Sequence, residues 1–530
     1  MNSHAFLRLS TAVFNPFPAS RLALPTAFLF FVSGFFAAAQ SDTNSLQNYL
    51  GPRFAPSGRS IPAQPAAANH GASAAEFLRH WNAVAIDASG LDHKPVAPGD
   101  PPHVFGQQLG PARASRAMAI VHIAMFDAVN AVNRDYQGYT DLAPFRQGVS
   151  MNAAIAQAAH DTLVAMFPSQ QSTFDQSLAA ELGSMPNNRP KAKGVDLGHR
   201  AALAILALRY NDGSQLPEPH IGLQFFTSND PGKWRKDPVS GSTLALGAYW
   251  GSVQPFVIQS STQFRAPVPP AIDSAEYATA YQEAKDYGGD VDHTSTMRTP
   301  DQTEIGIFWA YDGMPSLCAP PRLYNQITMH IADQLGTSSN PVELARLLAL
   351  VNVSMADAAI AIWESKYFYQ YWRPVTGIRE ADLGTGPSLL GDNNPATTGD
   401  TGFMPLGAPA SNLTGPNFTP PFPSYPSGHG GFGGALFESL RNFYGRDNIA
   451  FTFTSDEFNG ITLDNQGNPR PVRTRSFSSL SQAEEENGQS RIYLGIHWSF
   501  DKTAAIAQGR QVADYVFAHA FMRAPGKHGR

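Results

Sequence analysis

Helical periodicity is what most restricts the fold of this chain. From about residue 76 onward apolar residues return every three or four positions, and no stretch alternates like a half-buried strand. Residues 114–132 place Met118, Val121, Met125 and Val129 on one face. The spacing also predicts helices over 152–167, 192–210, 275–287 and 300–311, the second closed by Asn211-Asp212-Gly213. Asn340-Pro341 reads as an N-cap with proline in the first turn, opening a helix that runs to Trp372 and is ended by Pro374. Residues 428–444 and 500–521 read as two more. The expected class is all-α, helical bundles joined by long Gly/Pro-rich loops. Residues 214–272 are loop-rich. Residues 383–427 form a loop too long to be idle, and because it ends at Ser427 it is expected to cover a site.

A chain of 530 residues can bury a large core, as one domain or two. Only 15% of residues are charged and the net charge is −6, so no basic stripe suggests nucleic acid and no acidic tail suggests a solvating segment. Low charge and many aromatics would allow a dimer without indicating one. Arg8 and Arg21 precede an apolar run over 22–36, and Ala37-Ala38-Ala39 gives an A-x-A pattern before Gln40. A membrane anchor is the alternative, but the run is short and ends in small residues. The expectation is a cleaved signal over 1–39, a secreted or periplasmic protein, no stable membrane anchor, and no later stretch able to span a membrane. Residues 40–75, rich in Pro, Ala, Ser and Gly, are expected to be a flexible lead-in. A helical region then follows over 76–299 and a catalytic helical bundle over 300–530. Cys318 is the only cysteine, which rules out an intramolecular disulfide; no base adjoins it, so it reads as structural.

Three motifs in the last third suit a tetrahedral oxyanion: Lys366-x6-Arg373-Pro374, Pro426-Ser427-Gly428-His429 and Arg491-x5-His497. Arginine forks match pairs of oxygens, lysine is a point charge, and a hydroxyl and a backbone N–H add neutral donors. Lys366 and Arg373, seven apart, are expected on one face at the end of a helix. Solvated surface charges are the bland alternative, which Trp363, Tyr367, Phe368, Tyr371 and Trp372 argue against. Ser427-Gly428 opens a helical run, and a helix N-terminus binds anions readily; taken alone, Ser427 is better read as a plain N-cap. The Gly-Gly-Phe-Gly-Gly after His429 suits a helix against which something packs closely. Gly495 can break the chain between Arg491 and His497, letting both reach one site. Asp501 could orient the His497 ring. A lone histidine beside Trp498 is more often a core residue; the company of the other motifs reverses that.

With their flanks, these motifs resemble the vanadium-dependent haloperoxidases of the fungal chloroperoxidase type and their acid phosphatase relatives. The likeness lies in Phe308-Trp309-Ala310-Tyr311-Asp312-Gly313, in Pro320-Pro321-Arg322-Leu323-Tyr324-Asn325-Gln326, and in Trp363-x2-Lys366-x6-Arg373-Pro374. It continues in Pro420-Pro421-Phe422-Pro423-Ser424-Tyr425-Pro426-Ser427-Gly428-His429 and in Ser490-Arg491-Ile492-Tyr493-Leu494-Gly495-Ile496-His497-Trp498. Residues 116–122 resemble an N-terminal helix of bacterial relatives. The resemblance implies two four-helix bundles, with vanadate, the pentavalent oxyanion, as cofactor in the second. It implies His497 as axial metal ligand. Lys366, Arg373, Arg491, Ser427 and the Gly428 N–H would hold the vanadate oxygens. His429 would be the acid–base residue, Asp312 the partner of Arg491, and Trp363 and Phe422 the halide side. One departure is Gly430-Gly431, where many relatives carry Ala-Thr, which should loosen the first helical turn.

The implied reaction takes hydrogen peroxide and halide ions to hypohalous acid, which halogenates small organic acceptors. Bromide is expected to be the better substrate and chloride a second one, most visible at acid pH where His429 is protonated. The alternative is an acid phosphatase with His497 as nucleophile. Trp363, Phe422 and Trp498 argue against it, since an aromatic surround suits a halide better than a phosphoester. A non-catalytic oxyanion binder would have no use for His429.

Overall fold

The computed structural model describes residues 45–57, 73–145 and 148–526. The expected signal segment lies outside them. Among the described residues the chain is mainly helical. The helices are α1 (Leu46–Tyr49), α2 (Ala74–Asp92), α3 (Gly110–Asn133), α4 (Met151–Met166), α5 (Gln171–Ser184), α6 (Arg189–Leu208) and α7 (Ala275–Gly288). They continue as α8 (Pro300–Phe308), α9 (Pro320–Gln334), α10 (Pro341–Tyr369), α11 (Pro374–Arg379), α12 (Gly428–Tyr444), α13 (Leu480–Tyr493) and α14 (Ser499–His519). Two small antiparallel pairs join β1 (Ala55–Pro56) to β2 (Leu413–Thr414) and β3 (Phe451–Thr454) to β4 (Thr474–Phe477). The second pair was not expected. Phe451, Phe453 and Phe477 turn inward from it, a period-two signal too short to stand out in the sequence.

Helix α10 organises the molecule. Asn340 Oδ1 caps it by accepting from the Val342 and Glu343 amides, and Pro341 fills the first position. Its residues are apolar nearly all round, as a helix enclosed by others requires. One side packs on α3, which with α4 and α6 forms an N-terminal layer; the other side packs on α12 and α14. Asp357, inside α10, accepts the amides of Phe256, Val257 and Ile258 at 2.6, 2.7 and 2.9 Å, fastening the loop-rich 214–272 region to the core. Contrary to expectation, α3 and α10 are long and apolar enough to cross a membrane. In this structure both are core helices, 94% of each apolar window being buried.

Three further expectations change. Helix α10 stops at Tyr369, because Gln370 takes a left-handed conformation (φ 51°) and its amide closes on the Lys366 carbonyl. Pro374 therefore does not end that helix; it occupies the first turn of α11. And residues 45–57, expected in a flexible lead-in, are docked: Leu46, Tyr49, Leu50 and Phe54 are buried. Their four apolar side chains were hidden in a Pro- and Ser-rich composition. Cys318 is buried as expected of a structural residue, its Sγ 2.8 Å from Ser89 Oγ.

The glycine run of α12 has a packing cause. A Cβ on Gly434 would lie 2.5 Å from the Ile506 carbonyl oxygen, and one on Gly509 of α14 would lie 2.1 Å from the Gly431 carbonyl oxygen. The first turn of α12, expected to be loose at Gly430-Gly431, is a regular helix held between Ala505 and Ile362. Gly509→Ala should gain at most about 1 kcal/mol of helix propensity, against a backbone clash of about 3 kcal/mol. Urea unfolding should thus show a net loss of stability; a variant as stable as the parent would mean that this helix spacing is not fixed by glycine.

Candidate functional site

The motifs converge at the C-terminal end of α10, but not by sharing one helical face. Trp363 and Lys366 come from the last turns of α10, whereas Arg373, beyond the left-handed Gln370, is the N-cap residue of α11. The 420–426 segment reunites them. Lys366 Nζ donates to the carbonyls of Pro423 (2.8 Å), Ser424 (2.9 Å) and Pro426. Arg373 donates through Nε to the Phe422 carbonyl at 3.0 Å and through Nη1 to the Ile496 carbonyl at 2.8 Å. The long loop thus wraps both cations in carbonyl oxygens.

Ser427 serves as N-cap of α12, its Oγ accepting the Gly430 amide at 3.3 Å, and it is fully buried at the mouth of that helix. Helix α13 brings Arg491, then ends at Tyr493. Gly495 turns the chain at φ 68°, where a Cβ would lie 2.3 Å from the Gly288 carbonyl oxygen, so only glycine fits. His497 follows, just ahead of α14. Its Nδ1 lies 2.8 Å from Asp501 Oδ2, and its Nε2 takes a hydrogen bond from Arg373 Nη1 at 3.0 Å. Arginine can only donate. The tautomer therefore carries its proton on Nδ1 and presents a lone pair at Nε2, as a metal-ligating imidazole needs.

Arg491 is held by one arm. Its Nη2 donates to both carboxylate oxygens of Asp312, at 2.7 and 2.8 Å. Its Nε and Nη1 are buried and have no hydrogen-bond partner among the described residues. His429 donates from Nε2 to the Ala310 carbonyl, leaving Nδ1, which sits 3.9 Å from Asp312 Oδ1, as the nitrogen that can exchange a proton.

Burial governs the electrostatics. It pushes the His429 and His497 imidazoles well below their ordinary range, helped by Arg491 at the first and by Arg373, Lys366 and Arg491 at the second. Burial also drives Asp501 up to about 7 and Arg373 down to about 9. Lys366 is pushed down by burial and then by Arg373. Its three carbonyl partners match the three N–H of an ammonium, so the geometry favours the charged form. Three cations face two carboxylates, an excess that an anion would neutralise.

A narrow cavity opens onto this cluster. Asp312, Trp363, Phe422, Gly428, His429, Arg491 and His497 line it. Lys366, Arg373 and Ser427 stand buried behind that lining. The Trp363 and Phe422 rings pack at 5.1 Å between centroids, and Lys366 Nζ lies 5.1 Å from the Phe422 ring. Trp498, expected in the aromatic surround, is elsewhere. It stacks with Tyr281 and Phe500 and donates to the Trp372 carbonyl. Tyr49, Tyr311 and Phe432 also line the cavity and were not foreseen. Tyr311 and Phe432 lay inside or beside quoted motifs; Tyr49 had no signal in the sequence at all.

Comparison with known proteins agrees with this chemistry. The family described as the VCPO second helical-bundle domain matches residues 346–525. The vanadium chloroperoxidase of Curvularia inaequalis is 30% identical over 505 residues, covering 81% of this chain and 79% of its own. A bacterial vanadium-dependent iodoperoxidase superposes with a TM-score of 0.64 at 23% identity, over 86% of this chain and 98% of that one. The holo form of a bacterial vanadium-dependent chloroperoxidase gives a TM-score of 0.58 at 15% identity, over 77% and 92%; these two share the fold. The helical fold and the oxyanion cluster define a helical-bundle protein built to hold a tetrahedral oxyanion. The chain belongs to the vanadium-dependent haloperoxidase family, whose cofactor is vanadate. The two unpartnered nitrogens of Arg491 and the excess positive charge fit that oxyanion, and His497 Nε2, which accepts from Arg373 Nη1 in this structure, is the nitrogen that would hold its metal.

Asp312→Ala should weaken vanadate binding by about 10–100-fold, the usual cost of losing the group that orients a ligand's partner. Titration of the apoprotein with vanadate measures this directly. An unchanged dissociation constant in a folded variant would detach Asp312 from the site.

Proposed function

We propose that this enzyme uses hydrogen peroxide to oxidise bromide and chloride to hypohalous acid, which leaves to halogenate small organic acceptors, and that it acts in the periplasm or outside the cell. The observation that carries the reading is the pairing of an oxyanion grip with a dry aromatic wall. Arg491, with two unpartnered donors, and His497 line one cavity, and the Trp363–Phe422 pair lines it too. A relative of 30% identity being a chloroperoxidase supports chloride as a substrate.

Bound vanadate supplies a Lewis acid that activates peroxide with no change of oxidation state. The residues divide the remaining work. His497 holds the metal through Nε2, with Asp501 fixing its ring. Arg373, Arg491, Ser427 and the Gly428 N–H hold the oxygens, and Lys366, its three N–H groups given to carbonyls, offsets their charge from behind. His429 moves protons at Nδ1: one proton, one halide and one hydrogen peroxide give one hypohalous acid and one water. Trp363 and Phe422 exclude water, so Lys366 acts across a low local dielectric.

The test is turnover of bromide and of chloride with peroxide across an acid-to-neutral pH series, with and without vanadate, beside a phosphoester assay on the apoprotein. Vanadate-dependent oxidation of both halides is expected. Phosphoester hydrolysis without halide oxidation would select the phosphatase reading. Phe422→His should depress chloride turnover more than bromide turnover, because a polar ring admits water next to Lys366. Equal losses on the two halides would remove Phe422 as a determinant of halide range.

A further inference from the structure

The segment 45–57 reaches the site from far outside the three motifs. Ser45 caps the single turn of α1, its Oγ accepting the Asn48 amide. Beyond it the segment is tied down along its length. The Thr243 amide donates to the Asn48 carbonyl at 3.1 Å, Arg53 Nη1 donates to the Val239 carbonyl at 3.2 Å, and β1 pairs with β2. Phe54 meets Phe418 edge-on at 5.9 Å. This fastening delivers one side chain to the cavity, Tyr49, which is 2% exposed and whose hydroxyl donates to the Asp312 carbonyl at 3.1 Å.

Asp312 is therefore held at both ends. Its carboxylate accepts Arg491, and its carbonyl accepts Tyr49. The residues on either side have left-handed backbones, Tyr311 at φ 43° and Gly313 at φ 79°. The Asp312–Gly313 peptide plane is held from two sides: Tyr49 donates to its carbonyl, and its Gly313 amide donates to the Cys318 carbonyl at 2.9 Å. A Cβ on Gly313 would lie 2.1 Å from the Tyr49 oxygen, so the turn is shaped to admit the phenol. Rotating this peptide would swing the Asp312 carboxylate and, with it, the free Nε and Nη1 of Arg491.

We propose that Tyr49 is a positioning residue for vanadate binding: through the Asp312 main chain it sets the direction in which Arg491 presents its two free donors. The inference rests on the reading above, in which Arg491 grips the oxyanion. It makes the N-terminal segment part of the site and not a leader to it.

The experiment is vanadate titration of the apoprotein of the parent, Tyr49→Phe, Asp312→Ala and the double variant. Tyr49→Phe removes one oxygen and keeps the ring. It should bind vanadate about tenfold more weakly, in line with the loss of a group supporting a ligand. The double variant should bind no more weakly than Asp312→Ala alone, because both changes act through one element. Phe54→Leu disturbs the same segment without touching Asp312. It should lower the melting temperature and leave the vanadate affinity unchanged, which separates positioning from general support. If Tyr49→Phe does not fold, Tyr49→Met fills the space without a donor and should show the same loss. Parent-like affinity in the Tyr49 variant, or a loss that simply adds to that of Asp312→Ala, overturns the inference alone. A parent that binds no vanadate, or an Asp312→Ala variant that binds it like the parent, overturns the underlying reading as well.

Discussion

His497→Ala is expected to remove vanadate binding and halide oxidation together. His497, which lines the cavity, is the imidazole whose tautomer is set from behind by Asp501 at 2.8 Å, leaving Nε2 to accept from Arg373 Nη1 at 3.0 Å. Lys366 and Arg373 only donate, and the other imidazole lining the cavity, His429, is anchored through Nε2 to the Ala310 carbonyl with Nδ1 3.9 Å from Asp312. The fall in affinity should exceed the roughly 100-fold upper cost of losing a partner of a metal ligand. The side chain is buried, so folding has to be checked by circular dichroism and urea titration. Near-parental vanadate affinity in a folded variant would falsify the assignment of His497 as ligand.

The second large effect separates binding from turnover. His429→Ala should retain vanadate binding and lose about 10²–10⁴-fold in halide oxidation, the usual worth of a positioned acid–base group. The reason for retention is geometric. His429 lines the cavity, but its hydrogen bond goes to Ala310, and in the proposed reading the anion is gripped by cations, of which Arg491 lines the cavity with two unpartnered nitrogens. If the variant turns over near the parental rate, proton transfer belongs to another group. If it loses vanadate as well, His429 is part of the grip.

The helices were legible because their spacing is written into long apolar stretches; α10 was read from its cap to within three residues of its end. What misled was local. Nothing in Tyr369-Gln370-Tyr371 announces a left-handed residue, since glutamine adopts that conformation only when the surrounding contacts impose it. Lys366 and Arg373 were hence expected on one face, and meet instead because the proline-rich loop offers carbonyls to both. The Arg491–Asp312 pair, 179 residues apart, came from family likeness alone. Such a contact leaves no trace in local spacing. Trp498 was misplaced for a related reason. Its neighbour His497 faces the cavity, whereas its own ring caps the Tyr277–Tyr281 cluster. The docking of Tyr49 was invisible, because a short apolar set within a Pro- and Ser-rich stretch reads as linker.

The burial of Cys318 has a bearing on how long such an enzyme survives its own work. Hypohalous acid attacks sulfur before most other protein groups, and thiolates fastest of all. This chain offers one thiol, wholly enclosed beside Ser89. Burial raises its pKa to about 11, so the sulfur stays in its less reactive thiol form at neutral pH. Exposed sulfur is confined, among the described residues, to thioethers such as those of Met297 and Met522 on the surface. Oxidised there, a methionine takes up oxidant without disturbing a packed interior. A protein with no intramolecular disulfide to cleave and no open thiol to consume presents little fast-reacting sulfur to an oxidant made at its own site.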